Sequence, residues 1–342
     1  MTFPLSSGAR ARPAGPTMRR LRPALRGVLQ LIGVALGIAT VNFFLLRLAP
    51  GDAVQVIAGE SGSASPEYIA ALRAQFGLDQ PLWVQFWKYI AKLAQFDLGF
   101  SFRQGKSVAS LILARLPATL LLMGTAVTVA ALVGALLGTL AAYRAGRWLD
   151  VLISCLALLC FAIPVFWIGL VFVVIFSVWL DWLPVGGMYS VSAGHAGLAL
   201  AIDVGRHLIL PAATLALFYM AIYTRLMRAT LIEIRRQDFV RTAVSRGVLP
   251  GRLLRVHILR NAALPFVTML GVQIGSLIGG AVVVETVFSW PGLGRLAFDA
   301  LIQRDFNVLL GILLCSSVLV VLVNWAVDAL YRLLDPRVET SR

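Results

Sequence analysis

"DFVRTAVSRGVLPGRLLRVHILRNAALP", Asp238 to Pro265, is an arginine-rich stretch set between two strongly apolar segments. What surrounds it decides the fold. Of 342 residues, 59% are hydrophobic and only 13% charged, and a soluble domain of that size could not hide so much apolar surface behind so little charge. A hydrocarbon core about 30 Å thick needs roughly 20 apolar residues in helix. Windows near 28–46, 118–143, 151–180, 208–224, 266–284 and 308–327 meet that demand, and none contains Asp, Glu, Lys or Arg. The expected class is an all-α integral membrane protein with six transmembrane helices. The first window is as long as a full crossing and runs into "LRLAPGD" without a small-residue cleavage pattern, so it reads as a retained span rather than a signal peptide.

The net charge of +14 becomes informative once the loops are divided between the two sides. With the amino terminus inside, the cytoplasmic parts carry 20 basic and 6 acidic residues, while the external parts carry 10 of each. The whole excess therefore falls on one side, as the positive-inside bias requires, and both termini are expected in the cytoplasm. Basic loops facing anionic lipid account for the charge, so no nucleic-acid partner is implied.

Residues 1–27 mix Arg, Pro, Gly and Ser without periodicity and read as a disordered cytoplasmic leader. The segment 47–117 is a long external insertion. Within it, Ser65, Pro66, Glu67 and Gly77 have the order of a short capped helix. Farther on, Leu82, Phe86, Tyr89, Ile90 and Leu93 share one face of another helix, with Lys88 and Lys92 off it. The predicted permeation core spans 118–330, includes a cytoplasmic loop at 225–265, and leaves 331–342 as a tail. In the third external segment, 285–307, Trp290-Pro291-Gly292 reads as a turn, and Leu293, Leu296, Ala297, Ala300 and Leu301 recur at helical spacing after it.

Several chemistries are excluded on spacing. Gly99 and the Gly105-Lys106-Ser107 run imitate a phosphate loop, but five residues separate the glycines where four are needed, and no apolar strand precedes them. His195, His207 and His257 lie far apart with no metal-ligand spacing, so no metal or cofactor is expected. Cys155, Cys160 and Cys315 sit inside predicted spans and read as small buried hydrophobes. Gly275, Ser276, Gly279 and Gly280 read as a small-residue packing face. No window holds an ionisable residue of the kind that marks proton or ion relays, which argues against a carrier that works alone.

Between the fourth and fifth windows the pattern predicts a helix from about Thr230 to Ser245, a stop at Gly247, and a second helix with Pro250 in its first turn. Pro265 then marks the start of the fifth span. A basic loop is by default an anchor whose arginines meet lipid phosphates. Here apolar knobs, arginines and a glycine that permits close approach also supply what a docking element needs.

The ordered residues Arg241, Thr242, Ala243, Gly247, Leu264 and Pro265 resemble the EAA loop of permease subunits of binding-protein-dependent ABC importers. "LRLAPGD", "FGLDQPLWVQFWKYI", "DLGFSF", "RLPATL", "IPVFWIGL", "LPVGG", "RHLILPA" and "ETVFSWPGLGRL" are similar to the dipeptide, oligopeptide and nickel group, and to its first permease subunit. The resemblance covers about residues 28 to 337. It implies a type I ABC importer permease in the bacterial inner membrane. Its implied partners are a second six-span permease, two cytoplasmic ATPase subunits or domains, and an extracytoplasmic solute-binding protein. It also implies that this chain performs no covalent chemistry. ATPase coupling is expected at Asp238, Arg241, Thr242, Ala243 and Gly247. An external gate or binding-protein contact is expected at Glu285, Trp290, Arg295, Arg304 and Asp305, although a lipid-headgroup anchor is an equally good reading of Trp290. The rival class is a self-sufficient channel or secondary carrier.

Overall fold

A computed structural model describes residues 29, 31–45, 70, 79–95, 97–190 and 194–334. The leader, the helix expected over 65–77 and the last eight residues of the tail lie outside the described residues. Within them the chain is helical apart from one small hairpin. Helix α1 (Leu31–Leu45) and α2 (Leu82–Ala94) come first. Strands β1 (Phe100–Ser101) and β2 (Lys106–Ser107) pair antiparallel. Then follow α3 (Val108–Tyr143), α4 (Trp148–Ala162), α5 (Val165–Phe172), α6 (Leu198–Ile234) and α7 (Asp238–Ser245). The last three are α8 (Leu259–Val287), α9 (Leu293–Ile302) and α10 (Phe306–Leu334).

Four of these helices, α3, α6, α8 with its preceding turns, and α10, are long and apolar enough to cross a membrane. The window at 151–180 is not one straight span. Pro164 lacks an N–H and forces Ile163 out of the helical region, to φ −82° and ψ 132°. Helices α4 and α5 consequently meet at a 100° bend, and α5 continues through the wider π-type turns of Val173–Trp179. α1 is shorter than a full crossing within the described residues.

Helix α6 is the hub. In its apolar window 61% of residues are buried, against 17–28% in the other long helices. Its main partner is α3, along Ala126, Ala130, Gly134, Gly138 and Ala142, which recur every fourth residue and are all buried. A Cβ on Gly134 would lie 2.7 Å from Tyr223 Cβ, and one on Gly138 would lie 2.6 Å from the Thr224 carbonyl oxygen. Lipid tails are as apolar as leucine, so helices associate in a membrane through such close backbone approach rather than through escape from water. On its other sides α6 stacks Phe218 on Phe161 of α4, ring centroids 5.2 Å apart, and sets Leu215 and Tyr219 against Gly280 of α8.

Some expectations need correction. Of the small residues on α8, Gly280 does face α6, but Ser276 is exposed and donates within its own helix to Gln273, and Gly279 has open space beside it. The seam that matters lies on α3. Pro265 does not start the fifth span; it sits inside α8, a turn and a half after Leu259. Cys155 is exposed on α4, and Cys160 and Cys315 are half-buried. The histidines are not spread over separate loops, because His207 belongs to α6 and, with His195, flanks the Asp203 carboxylate at 3.3 and 3.6 Å. That carboxylate also accepts from the Ser190 backbone N–H at 2.6 Å, tying the loop after α5 to α6.

The segment before α3 packs against the end of the bundle where α3 begins. Phe86 of α2 meets Phe43 of α1 edge to face at 5.3 Å, while Trp83 and Trp87 stay exposed. Lys106 and Ser107 form the second hairpin strand, and the Ser107 hydroxyl caps α3 by accepting from the Ser110 N–H at 3.3 Å. α3 therefore begins ten residues ahead of its predicted window. Its first turns bury Val108, Leu111 and Ile112 against α9 and α10.

Replacing Gly138 by leucine should destabilise the protein by about 1–3 kcal/mol or more through overpacking of this seam. Gly124→Leu, at a position with open space, should have little effect. Unfolding of the two purified variants in detergent compares them directly.

Candidate functional site

Helix α6 stops at Ile234, and the chain turns through Arg235 to Gln237 before α7 begins. The continuous helix expected from Thr230 to Ser245 is thus broken, for a geometric reason. Val240 lies nine residues beyond Leu231, about half a turn out of phase at roughly 100° per residue. A straight helix would point the two in opposite directions. The break lets Val240 join Leu231, Ile234, Ala142, Ile258 and Ala262 in one apolar cluster, and Ala243 is buried as well.

Asp238 occupies the first turn of α7, where a carboxylate favours the helix dipole. Its side chain lies 3.5 Å from Arg241, and both are exposed. Thr242 is exposed as well, its hydroxyl turned back onto the Asp238 carbonyl at 2.9 Å. The helix ends in a Schellman arrangement: Gly247 N–H donates to Val244 O and Val248 N–H to Ala243 O, at 3.0 and 3.2 Å. Gly247 needs its φ of +76° for this, and a Cβ there would meet nothing in this chain. Pro250 opens the next helical turn, as expected, and π-type turns at Leu253–Ile258 carry the chain into α8. Of the five residues expected at a coupling surface, four form one exposed face. Ala243 is the exception, since it is buried against the protein's own bundle.

The structure adds a residue pair that the sequence did not suggest. Arg228 near the end of α6 grips Asp150 at the start of α4 with two parallel hydrogen bonds, Nε to Oδ1 at 2.5 Å and Nη2 to Oδ2 at 2.8 Å. Asp150 is buried and also accepts from Gly146 N–H at 2.9 Å. Seventy-eight residues separate the partners, so no local pattern could have linked them.

At the opposite end of the bundle, Glu285 and Trp290 are fully buried. Neither side chain offers surface to a docking protein, so of the two roles expected of them, gate or binding-protein contact, the second does not fit. Gly292, the residue before α9, has no side chain with which to cap the helix. Glu285 does so from across the turn, accepting from the backbone N–H groups of Gly294 and Arg295, the latter at 3.0 Å. A Cβ at Gly292 would collide with that carboxylate. Thr119 completes the knot, donating to Glu285 at 2.7 Å and accepting from Leu293 N–H at 2.7 Å. The Trp290 indole N–H donates to the Ala118 carbonyl at 2.9 Å, which also removes it from the headgroup region. Asp305 is buried too. It accepts from the Ser101 hydroxyl and from Val308 N–H, capping α10 and holding the hairpin. Arg295 is half-buried, and only Arg304, at φ +57°, is exposed.

These parts, a lipid-spanning bundle with a rigid, exposed helix and glycine turn on its basic side, define a membrane transport subunit. Residues 134–340 match the family described as the inner membrane component of binding-protein-dependent transport systems, and residues 20–123 match its N-terminal companion. The chain belongs to that family. It is 38% identical over 326 residues to the di/tripeptide transport system permease protein DppB of Pseudomonas aeruginosa strain UCBPP-PA14, covering 91% of this chain and 97% of that one. It is 39% identical over 320 residues to the oligopeptide transport system permease protein AppB of Bacillus subtilis strain 168, covering 92% and 98%. Among solved structures, an inward-facing form of the MetNI methionine ABC transporter shares the fold, with a TM-score of 0.53 at 17% identity over 66% of this chain and 96% of the other.

Thr119→Val should cost about 2–3 kcal/mol, because it leaves Leu293 N–H without a partner and takes a donor from a buried carboxylate. Arg304→Gln should stay within about 0.5 kcal/mol. Denaturant unfolding of the purified protein separates the two.

Proposed function

We propose that this chain is a permease subunit of an ATP-driven importer for peptides, with related small solutes such as nickel chelates or glutathione as the neighbouring possibilities. It forms the pathway together with a second six-span permease. Two cytoplasmic ATPase subunits or domains act from below and an extracytoplasmic binding protein delivers the solute from above. The chain itself spans the inner membrane six times with both termini in the cytoplasm. The relatives named for di/tripeptides and oligopeptides support the solute class, and the one-sided excess of basic residues supports the orientation.

One observation carries the mechanism. α7 is exposed on its Asp238, Arg241 and Thr242 face, yet its Val240 sits in an apolar cluster shared by α3, α6 and the start of α8. A push on the exposed face cannot be absorbed locally, because close-packed cores shift between discrete packings rather than deform continuously. ATP-driven closure of the partner subunits would move α7, and α7 would move the ends of three spanning helices. Gly247 keeps the end of α7 free of side chain, so that a partner can approach the backbone.

A Gly247→Leu variant should assemble normally and retain ATP hydrolysis while losing at least about tenfold in coupled uptake, since the new side chain is strained at positive φ and blocks the approach. Reconstituted vesicles holding the complete transporter provide the measurement, and undiminished uptake would count against the coupling role. The same vesicles with this chain alone should show no flux. Flux without an ATPase would favour a self-sufficient channel or carrier.

A further inference from the structure

Where α3 ends, a cavity of about 550 Å³ opens between the α3–α4 turn, the end of α6 and the turns leading into α8. That volume lies within the usual range of small-molecule sites, about 300–1,000 Å³. Arg144, Arg147 and Arg235 line it, and no acidic residue does. The opposite wall is apolar, made by Leu231, Leu253 and Ile258 among others. Arg235 is held in place, donating to the Ala142 carbonyl at 3.1 Å with its guanidinium 5.9 Å from the Tyr143 ring centroid. Arg144 and Arg147 are exposed and have no ion-pair partner among the described residues. Asp150, three residues after Arg147, is already engaged by Arg228.

We infer that this cavity is a site for a single anionic phospholipid, its phosphate held by Arg144, Arg147 and Arg235 and its upper acyl carbons laid against the leucine and isoleucine wall. The combination selects an amphiphile: three guanidinium groups suit a phosphate, which they can engage through several donors each, while a free anion would leave the apolar wall wet. Tyr143 lines the cavity, and both it and Trp148, the residue after Arg147, are well exposed. Amphipathic aromatic rings of this kind settle at the headgroup level of a bilayer, which puts the arginines at the depth of lipid phosphates. This is more than the general attraction of basic loops to an anionic leaflet, because the site is built from three separate elements. One of them, the Leu253–Ile258 turns, directly follows α7 and Gly247. A bound lipid therefore ties the α3–α4 turn to the segment that links α7 to the bundle.

The test uses the complete transporter in nanodiscs containing phosphatidylglycerol within neutral phosphatidylcholine, with retained lipid read by native mass spectrometry. The wild type should keep at least one phosphatidylglycerol per copy of this chain. R144Q/R147Q should bind it roughly 150-fold more weakly, taking about 1.5 kcal/mol for each charge-assisted hydrogen bond to the phosphate that is lost. Removing two arginines outside the cavity, R246Q/R255Q, should change retention less than about twofold. Equal losses in both double variants would reduce the effect to surface charge and overturn the site. Displacement by inorganic phosphate or glycerol phosphate at concentrations similar to the lipid's would overturn the lipid in favour of a free anion. Should R144Q/R147Q fail to fold, a photoreactive phosphatidylglycerol is applied to the wild type. Cross-links on the 143–147 and 250–258 peptides support the site, and cross-links confined to other surfaces sink it. A photoreactive residue placed at position 144 that captures an ATPase subunit instead of lipid would likewise overturn the proposal. None of these readouts requires transport, so their outcome is independent of the solute.

Discussion

The close approach of α3 and α6 is the constraint on which the rest of the bundle depends. In lipid the association of helices gains nothing from excluding water, so it must come from dispersion contacts between surfaces that fit. Gly134 and Gly138 remove the side chains that would hold the helices apart, and the backbone of α6 comes within what would be Cβ contact distance. With α3 seated, the remaining faces of α6 are free to receive α4 and α8. The pair of buried Asp150 and partly exposed Arg228 then fixes the start of α4 against the end of α6, a geometry in which two aligned hydrogen bonds offset the cost of desolvating the carboxylate.

The two ends of the bundle are built differently. At the end opposite α7, Glu285, Thr119 and Trp290 turn the start of α9 into a knot of hydrogen bonds around a fully buried carboxylate. The knot ties α3, α8 and α9 together, and of the charged residues expected at that end Arg304 is the exposed one. At the arginine-rich end, the polar groups of α7 are outside and Val240 is inside, so α7 presents charge and a bare glycine while anchored in the apolar cluster.

Much of the architecture was legible in one dimension because it rests on local rules. Apolar run length announces a lipid-spanning helix, Gly247 announces a helix stop at positive φ, and Pro250 announces the first turn of the segment that follows. The helix after Trp290-Pro291-Gly292 was read from its spacing, and so was the amphipathic helix that packs through Phe86. Pro164 could have been read as a break, since a proline with its restricted preceding residue disturbs any helix, but an uninterrupted apolar window hid it. The repeat of Ala126, Ala130, Gly134, Gly138 and Ala142 was present in plain form as well, yet the glycines of α8 drew the packing argument instead.

Composition and spacing by themselves determined that this is a helical membrane protein with a helix–glycine–helix element in an arginine-rich stretch between apolar runs. They could do so because each of those properties belongs to residues near one another in the chain. Only the tertiary structure decided what Glu285, Trp290 and Asp305 are for. A carboxylate that caps a helix nine residues downstream, or an indole that donates to a carbonyl 172 residues away, is indistinguishable in sequence from one displayed to a partner. The same holds for the cavity under Arg144, Arg147 and Arg235. It exists because three elements distant in the chain converge, and convergence is a property of packing rather than of any stretch of residues.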